Sequence, residues 1–421
     1  MNKQVFHFFL LLLLSTNAAL AQNYEWTWMH GYNRPALYPD YGTQGVASSS
    51  NIPGGREGAV YWTDASGKFW LFGGNGYPQN RTNALNLNDL WKFDPATGQW
   101  TWMKGDVGDV THGVYGTQGV ANAANKPGKR HSAMGWRDAA GNLWLFGGNG
   151  YASTGGTGRL NDLWKYDIGT NMWTWIDGDN IINQHGVYGT LGTSAATNKP
   201  GGRTGAATWV DATGDLWLFG GNGYATAGGA NVLNDLWRYD IVSGEWTWMA
   251  GANTTTQFGV YGTLGVSDAN NKPGAREGAV AWTDNTGNLW LLGGIGLTTS
   301  AIGRLNDLWK FDIATGEWTW MNGDNTTNQL GIYGTLGTSS ATNKPGARCY
   351  AICWKDASGD FWIFGGDGFA SVGGNSMLSD LWKYDVSANE WTWMKGPDVS
   401  GQYAVYGTQG VANAANTPGG K

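Results

Sequence analysis

The stretch Leu87-Asn-Asp-Leu-Trp-Lys-Phe-Asp-Pro-Ala-Thr-Gly-Gln-Trp-Thr-Trp-Met103 decides the fold because it recurs. Further copies begin at Leu160, Leu233, Leu305 and Leu378 and reach a Trp-Thr-Trp at Trp173, Trp246, Trp318 and Trp391. Self-similarity at a fixed period marks a repeat architecture, in which each unit buries its faces against its neighbours. Within the stretch, Asp89–Asp94 and Gln99–Met103 read as two short aromatic strands bounded by turn residues. The loop between them ends in Gly98, the left-handed residue that closes such a turn. Asn171 and Asn389 replace that glycine in two copies, and Asn is the usual other residue that tolerates this conformation.

Working outward, each unit reads as four strands. In the first they are A (Arg56–Thr63), B (Lys68–Gly74), C (Asp89–Asp94) and D (Gln99–Met103). No part of the chain after the N-terminal apolar run has sustained helical periodicity. Strand A begins at Arg56, Arg130, Arg203, Arg276 and Arg348, at intervals of 74, 73, 73 and 72 residues. The variation lies in the B–C loop. From Met103 to Arg130, Met249 to Arg276 and Met321 to Arg348 there are always 26 intervening residues. Each D–A linker carries Tyr-Gly-Thr-x-Gly, starting at Tyr41, Tyr115, Tyr188, Tyr261, Tyr333 and Tyr406, and ends in Pro-Gly. Constant length predicts ordered linkers packed on the body. Five Trp per unit, with Trp26 and Trp28, account for all 27. They read as packing residues, each burying on the order of 200 Å². A four-stranded antiparallel unit repeated in this way is a propeller blade, so the expected class is all-β.

The Gly-Gly pairs closing strand B (Gly73-Gly74, Gly147-Gly148, Gly220-Gly221, Gly293-Gly294, Gly365-Gly366), an aromatic in strand C and a Trp in strand D resemble the kelch repeat. The resemblance covers about residues 24–421. It extends to secreted bacterial kelch-repeat proteins labelled galactose-oxidase-like. It implies a kelch-type β-propeller of five complete four-stranded blades. Glu25-Trp-Thr-Trp-Met29 matches strand D alone and is read as the N-terminal outer strand of an incomplete sixth blade. Residues 395–421 form a trailing linker, and Lys421 stands where a sixth strand-A arginine would be. The expected organisation is therefore a signal segment over 1–21, an outer strand and linker over 22–55, and the propeller over 56–421. A truncated six-bladed propeller and a five-bladed ring with a spare strand both fit this reading.

Composition narrows the function. Charged residues make up 14% of the 421, the formal net charge is −6, and no Lys/Arg run exists. Nothing therefore points to nucleic acid or an anionic membrane. Lys3, the apolar run Val5–Leu14 and Ala19-Leu-Ala21 read as a secretory signal cleaved after Ala21. The run is too short for a lasting membrane anchor. Cys349 and Cys353 lie four residues apart in one expected strand. Their Cα atoms would be roughly 13 Å apart, beyond the reach of a disulfide, so two unpaired thiols are expected.

Antiparallel order places the A–B and C–D hairpins at one end of a blade and the B–C loops and D–A linkers at the other. Candidate ligand-binding residues sit at the second end. One set is Arg56, Arg130, Arg203, Arg276 and Arg348, which would suit an acidic ligand. Against that stand Asp89, Asp162, Asp235, Asp307 and Asp380 at the start of strand C. A strand-A arginine can reach its strand-C aspartate over the glycine pair, roughly 10 Å in backbone terms, which makes it a structural pair. The other set is Asn75 with Tyr77, Asn149 with Tyr151, Asn222 with Tyr224, and Asp367 with Phe369, amides or a carboxylate beside aromatics, as suits a carbohydrate. Blade four breaks the pattern at Ile295-Gly296-Leu297.

No cofactor is expected. A galactose-oxidase copper site needs two His, an axial Tyr and a Tyr crosslinked to Cys, and no such set occurs. His112 and His185 share one linker position with Phe258 and Leu330. The leading reading is a secreted, non-catalytic scaffold binding an unknown glycan or protein through the B–C loop and linker end. The rivals are a propeller-type sugar epimerase or lyase and a structural cell-surface module.

Overall fold

The computed structural model describes residues 24–33, 38–79, 83–108 and 112–420. The expected signal segment and Lys421 lie outside the described residues. Among those described, every regular element is a β-strand. In blade one, strand A comprises Arg56–Glu57 and Val60–Thr63, B is Phe69–Gly76, C is Leu85–Asp94 and D is Gln99–Lys104, all paired antiparallel. Blades two to five repeat this order.

Two details differ from the sequence reading. Strand A is divided, because Gly58 adopts a left-handed φ of 61° and interrupts the ladder. Strands B and C also run past the glycine pair. Gly73 and Gly74, at φ 63° and 98°, bulge strand B, and the register with strand C shifts between Phe72 and Gly74 before pairing resumes. The glycines are required by space as well as by conformation. A Cβ on Gly73 would stand 2.7 Å from the carbonyl oxygen of Arg130 in the next blade.

The linkers are ordered, and each adds an outermost rung to the blade it leads into. Ala47–Ser48 pairs with Thr101 and Trp100 of strand D. Ser339–Ser340 does the same in blade five, and single bridges join Asn122 to Trp173, Ala195 to Trp246 and Asp268 to Trp318. A linker asparagine secures each rung. Asn51 donates to the Trp100 carbonyl at 3.0 Å, and Asn125 to that of Trp173 at 3.2 Å. Bare D-strand edges are thereby covered, which removes a template for edge-to-edge association.

Chain contacts divide the described residues into two units, one within Gly31–Thr255 and one of residues 24–30 with 256–420. The first holds blades one to three. Trp62, Trp70, Phe72 and Leu90 of blade one pack on Leu143, Leu145, Trp164, Tyr166 and Trp173 of blade two. The same positions join blades two and three. Each large apolar side chain so buried contributes roughly 1.5–3 kcal/mol.

The second unit joins blades four and five in the same way. On the far side of blade five, Trp26 meets Phe364 edge-on at 5.0 Å and Tyr24 meets Trp362 at 5.4 Å. Trp26 is bridged to Asn413, and Asn416 donates to its carbonyl at 2.8 Å. The N-terminal segment thus takes the place of a strand D, capped by the trailing linker as the other D strands are capped by theirs. Tyr24 stands where Tyr166 of strand C stands against Trp70 in blades one and two.

The Gly-Gly requirement is testable. A Cβ on Gly147, at φ 61°, would meet the carbonyls of Leu160 and Arg203 at 2.8 and 2.9 Å. Gly147→Ala is expected to cost roughly 1–3 kcal/mol, read as a lower melting temperature. An unchanged melt would show that the bulge tolerates a side chain.

Candidate functional site

The strand-A arginines and strand-C aspartates form a knot inside every blade. Arg130 sends Nη1 and Nη2 to the two oxygens of Asp162 at 2.6 and 2.7 Å. Its Nη1 also donates to the Gly147 carbonyl and its Nε to that of Gly128. Both side chains of the pair are 0% exposed. The fork matches the carboxylate bidentately, the strongest geometry for such a pair. Arg56–Asp89, Arg203–Asp235, Arg276–Asp307 and Arg348–Asp380 repeat it.

Each aspartate accepts two more bonds on one oxygen. The strand-C indole Nε1 donates from two residues on, as from Trp164 to Asp162 at 2.7 Å. The linker tyrosine donates from the blade's edge, with Tyr41, Tyr115, Tyr188, Tyr261 and Tyr333 bonded to Asp89, Asp162, Asp235, Asp307 and Asp380 at 2.6–2.9 Å. Burial, with the adjacent carboxylate, raises the pKa of each of these phenols. The arginines therefore do not form a cationic mouth in this structure. Their donors are spent on Asp and on glycine carbonyls, under cover. The tyrosines are part of the same device, which the sequence reading had placed only as markers of an ordered linker.

The residues that differ between blades lie one position further along the same strands. Cross-strand pairing puts Glu57, Asn75 and Asn86 in one row of blade one. The equivalent rows are His131, Asn149 and Arg159; Thr204, Asn222 and Val232; Glu277, Ile295 and Arg304; and Cys349, Asp367 and Met377. Neighbouring rows are laced together. Asn86 bonds the His131 ring at 2.8 Å and the Asn149 carbonyl. Arg159 donates to the carbonyl and side-chain oxygen of Asn222 at 3.0 and 2.6 Å. Arg304 makes the corresponding pair of bonds to Asp367. Burial lowers the pKa of His131.

The loop aromatics Tyr77, Tyr151, Tyr224 and Phe369 are half-buried. Three of them have a linker ring against them. Tyr38 meets Tyr77 at 6.0 Å, His112 meets Tyr151 at 5.5 Å and His185 meets Tyr224 at 5.3 Å. His112 and His185 thus pack on the loop at this shared linker position, whereas Phe258 and Leu330, which occupy it in the next two linkers, are exposed. Among the described residues no group of three His, Cys, Asp or Glu is placed to hold a metal ion. Cys349 and Cys353 are both free thiols, each pushed up to about 11 by burial. They fall on the two separate pieces of strand A, Arg348–Cys349 and Ile352–Lys355.

Residues 43–249 match the family model described as the KLHDC2/KLHL20/DRC7 Kelch-repeats domain. The fold is a kelch-type β-propeller. The matched kelch region lies within the unit of blades one to three, and blades four and five repeat the same elements. No curated protein matches the chain. Kelch blades of this kind serve as protein-interaction scaffolds, and here the scaffold is the knot while the variable row sits on it.

The knot makes two predictions. Asp162→Ala leaves Arg130 buried without its partner and is expected to cost about 3–5 kcal/mol. Tyr115→Phe removes one of several bonds and is expected to cost about 1 kcal/mol. Equal losses in chemical denaturation would refute that ranking. The acid response has a definite sign. Burial raises the carboxyls of Asp89 and Asp380, but Arg56 and Arg348 outweigh it and hold both below the usual range. Groups lowered in the folded state stabilise it fully above the unfolded value of about 4, and lose that contribution as pH falls from there through the lower folded value. The melting temperature should therefore drop below about pH 4.

Proposed function

We propose that this protein is an exported kelch scaffold, without catalysis of its own, that holds a protein or glycan partner on the B–C end of its blades. One observation carries the reading. The knot is identical in five blades, whereas the row beside it carries Glu57, His131, Thr204, Glu277 and Cys349 at one position and Asn75, Asn149, Asn222, Ile295 and Asp367 at the next. Diversity on a constant frame is how a rigid scaffold presents a recognition surface. The loop aromatics Tyr77, Tyr151, Tyr224 and Phe369 each lie two residues past the row in their own blade. Export is supported by the basic start, apolar run and Ala-Leu-Ala of residues 1–21.

The test is direct. Protein beginning at Gln22 is screened on a glycan array and a displayed-peptide library. Hits should be weakened by Asn75→Ala or Asn149→Ala with melting unchanged. They should be indifferent to Ser66→Ala and Thr213→Ala in the opposite hairpins. The reverse pattern would sink the assignment of the binding end, and product formed from a bound hit would sink the non-catalytic reading. Mass spectrometry of the exported chain should show Gln22 at its start. A product retaining residues 1–21 would refute export by this signal.

A further inference from the structure

One position of the repeat carries, in a single blade, an aromatic ring that the fold does not need. The left-handed position dividing strand A is Gly58, Ser132, Gly205 and Gly278 in blades one to four, and Tyr350 in blade five. Tyr350 sits at φ 55°. A bulky side chain there is strained, and such strain gathers at functional sites. The ring is not recruited into the core, since Tyr350 is 54% exposed.

Its surroundings hold it in place. The backbone N–H of Tyr350 donates to the Gly278 carbonyl at 2.7 Å. The ring lies against Gly278, where a Cβ would come within 2.8–3.0 Å of three ring atoms. The hydroxyl donates to Glu277 at 3.1 Å. Next along the chain, Cys349 is cross-strand from Asp367, and its thiol faces the Asp367 carbonyl at 3.5 Å. Arg304 grips Asp367. A glycine thus makes room for a ring, a carboxylate sets its orientation, and Asp367, bound by Arg304, is the cross-strand neighbour of the residue before it.

We infer that Tyr350 is a stacking platform for a pyranose ring, with Glu277, Asp367 and Arg304 as hydroxyl partners. The inference rests on the proposed use of the B–C end for binding and narrows it to one place and one ligand class. A pyranose offers an apolar face of C–H groups to an aromatic ring and a rim of hydroxyls around it. Carboxylates accept from those hydroxyls and a guanidinium donates to them. An apolar peptide side chain would make no use of the carboxylates.

The experiment uses protein starting at Gln22 with methyl β-D-glucopyranoside and methyl β-D-galactopyranoside as probes, followed by saturation-transfer NMR and titration. At least one should bind with a Kd in the millimolar range. Tyr350→Asn, which keeps a residue at ease at positive φ, should weaken that binding at least about tenfold, equivalent to about 1.4 kcal/mol. It should not lower the melting temperature. Tyr350→Phe should retain binding within about threefold. Failure of both sugars to bind overturns the inference. Sugar binding unchanged in Tyr350→Asn also overturns it, while leaving the B–C end as the binding face. A fall in melting temperature with Tyr350→Asn would show a structural role for the ring and overturn it as well. Peptide hits that depend on Asn75 and Asn149, without sugar binding, would retain the scaffold reading and remove the platform.

Discussion

Five carboxylates, Asp89, Asp162, Asp235, Asp307 and Asp380, are buried almost completely, and the rest of each blade is arranged to make that tolerable. An unpaired carboxylate in such a place would be prohibitively costly. The arginine from strand A supplies the countercharge, the strand-C indole and the linker phenol supply two further donors, and glycine carbonyls absorb what remains of the guanidinium. The knot ties four segments that are far apart in sequence: strand A, the end of strand B, strand C and the linker. Bringing them together around one carboxylate sets their register. A buried pair of this kind is weak evidence for net stability, because desolvation offsets much of the attraction. Its clearer consequence is specificity, since any slip of register leaves a charge unpaired.

From that constraint the other features follow. The glycine pair of strand B beside the knot carries no side chains, because a Cβ on Gly73 or Gly74 would meet backbone carbonyls at 2.7 or 2.8 Å. The same glycines bulge strand B and let the next blade's backbone approach. The tyrosine must reach the knot from the edge, so the linker is held at constant length and stitched to strand D by an asparagine. What the knot leaves free is the row one residue along and the loops beyond it. There the blades are allowed to differ, and there Tyr350 occupies a position that three other blades give to glycine and one to serine.

Much of this was legible in the residues. The repeat of Leu-Asn-Asp-Leu-Trp gave the strands, and the glycine pair between Arg and Asp gave the route of the pair across the sheet. The half-copy at Trp26 gave a lone D strand. Other features were hidden for physical reasons. The break in strand A depends on a φ value, which Gly58 permits but does not announce. The ring pairs Tyr38–Tyr77, His112–Tyr151 and His185–Tyr224 join positions some 39 residues apart, and only folding sets them face to face. The arginines stood in the sequence as candidates for ligand contact because sequence spacing does not report burial.

The sequence by itself determined the architecture, because strand periodicity, turn glycines and a repeated apolar pattern act locally and recur often enough to be counted. It also determined which charged residues belong together, because the distance across two strands is fixed by the geometry of a sheet. Only the tertiary structure decided that the tyrosine of each linker belongs to the same knot, that the linker closes the blade's edge, and that Tyr350 stands exposed over Gly278. Those facts depend on which surfaces meet and what remains uncovered afterwards. Contact and exposure are properties of the packed chain, with no counterpart in the spacing of its residues.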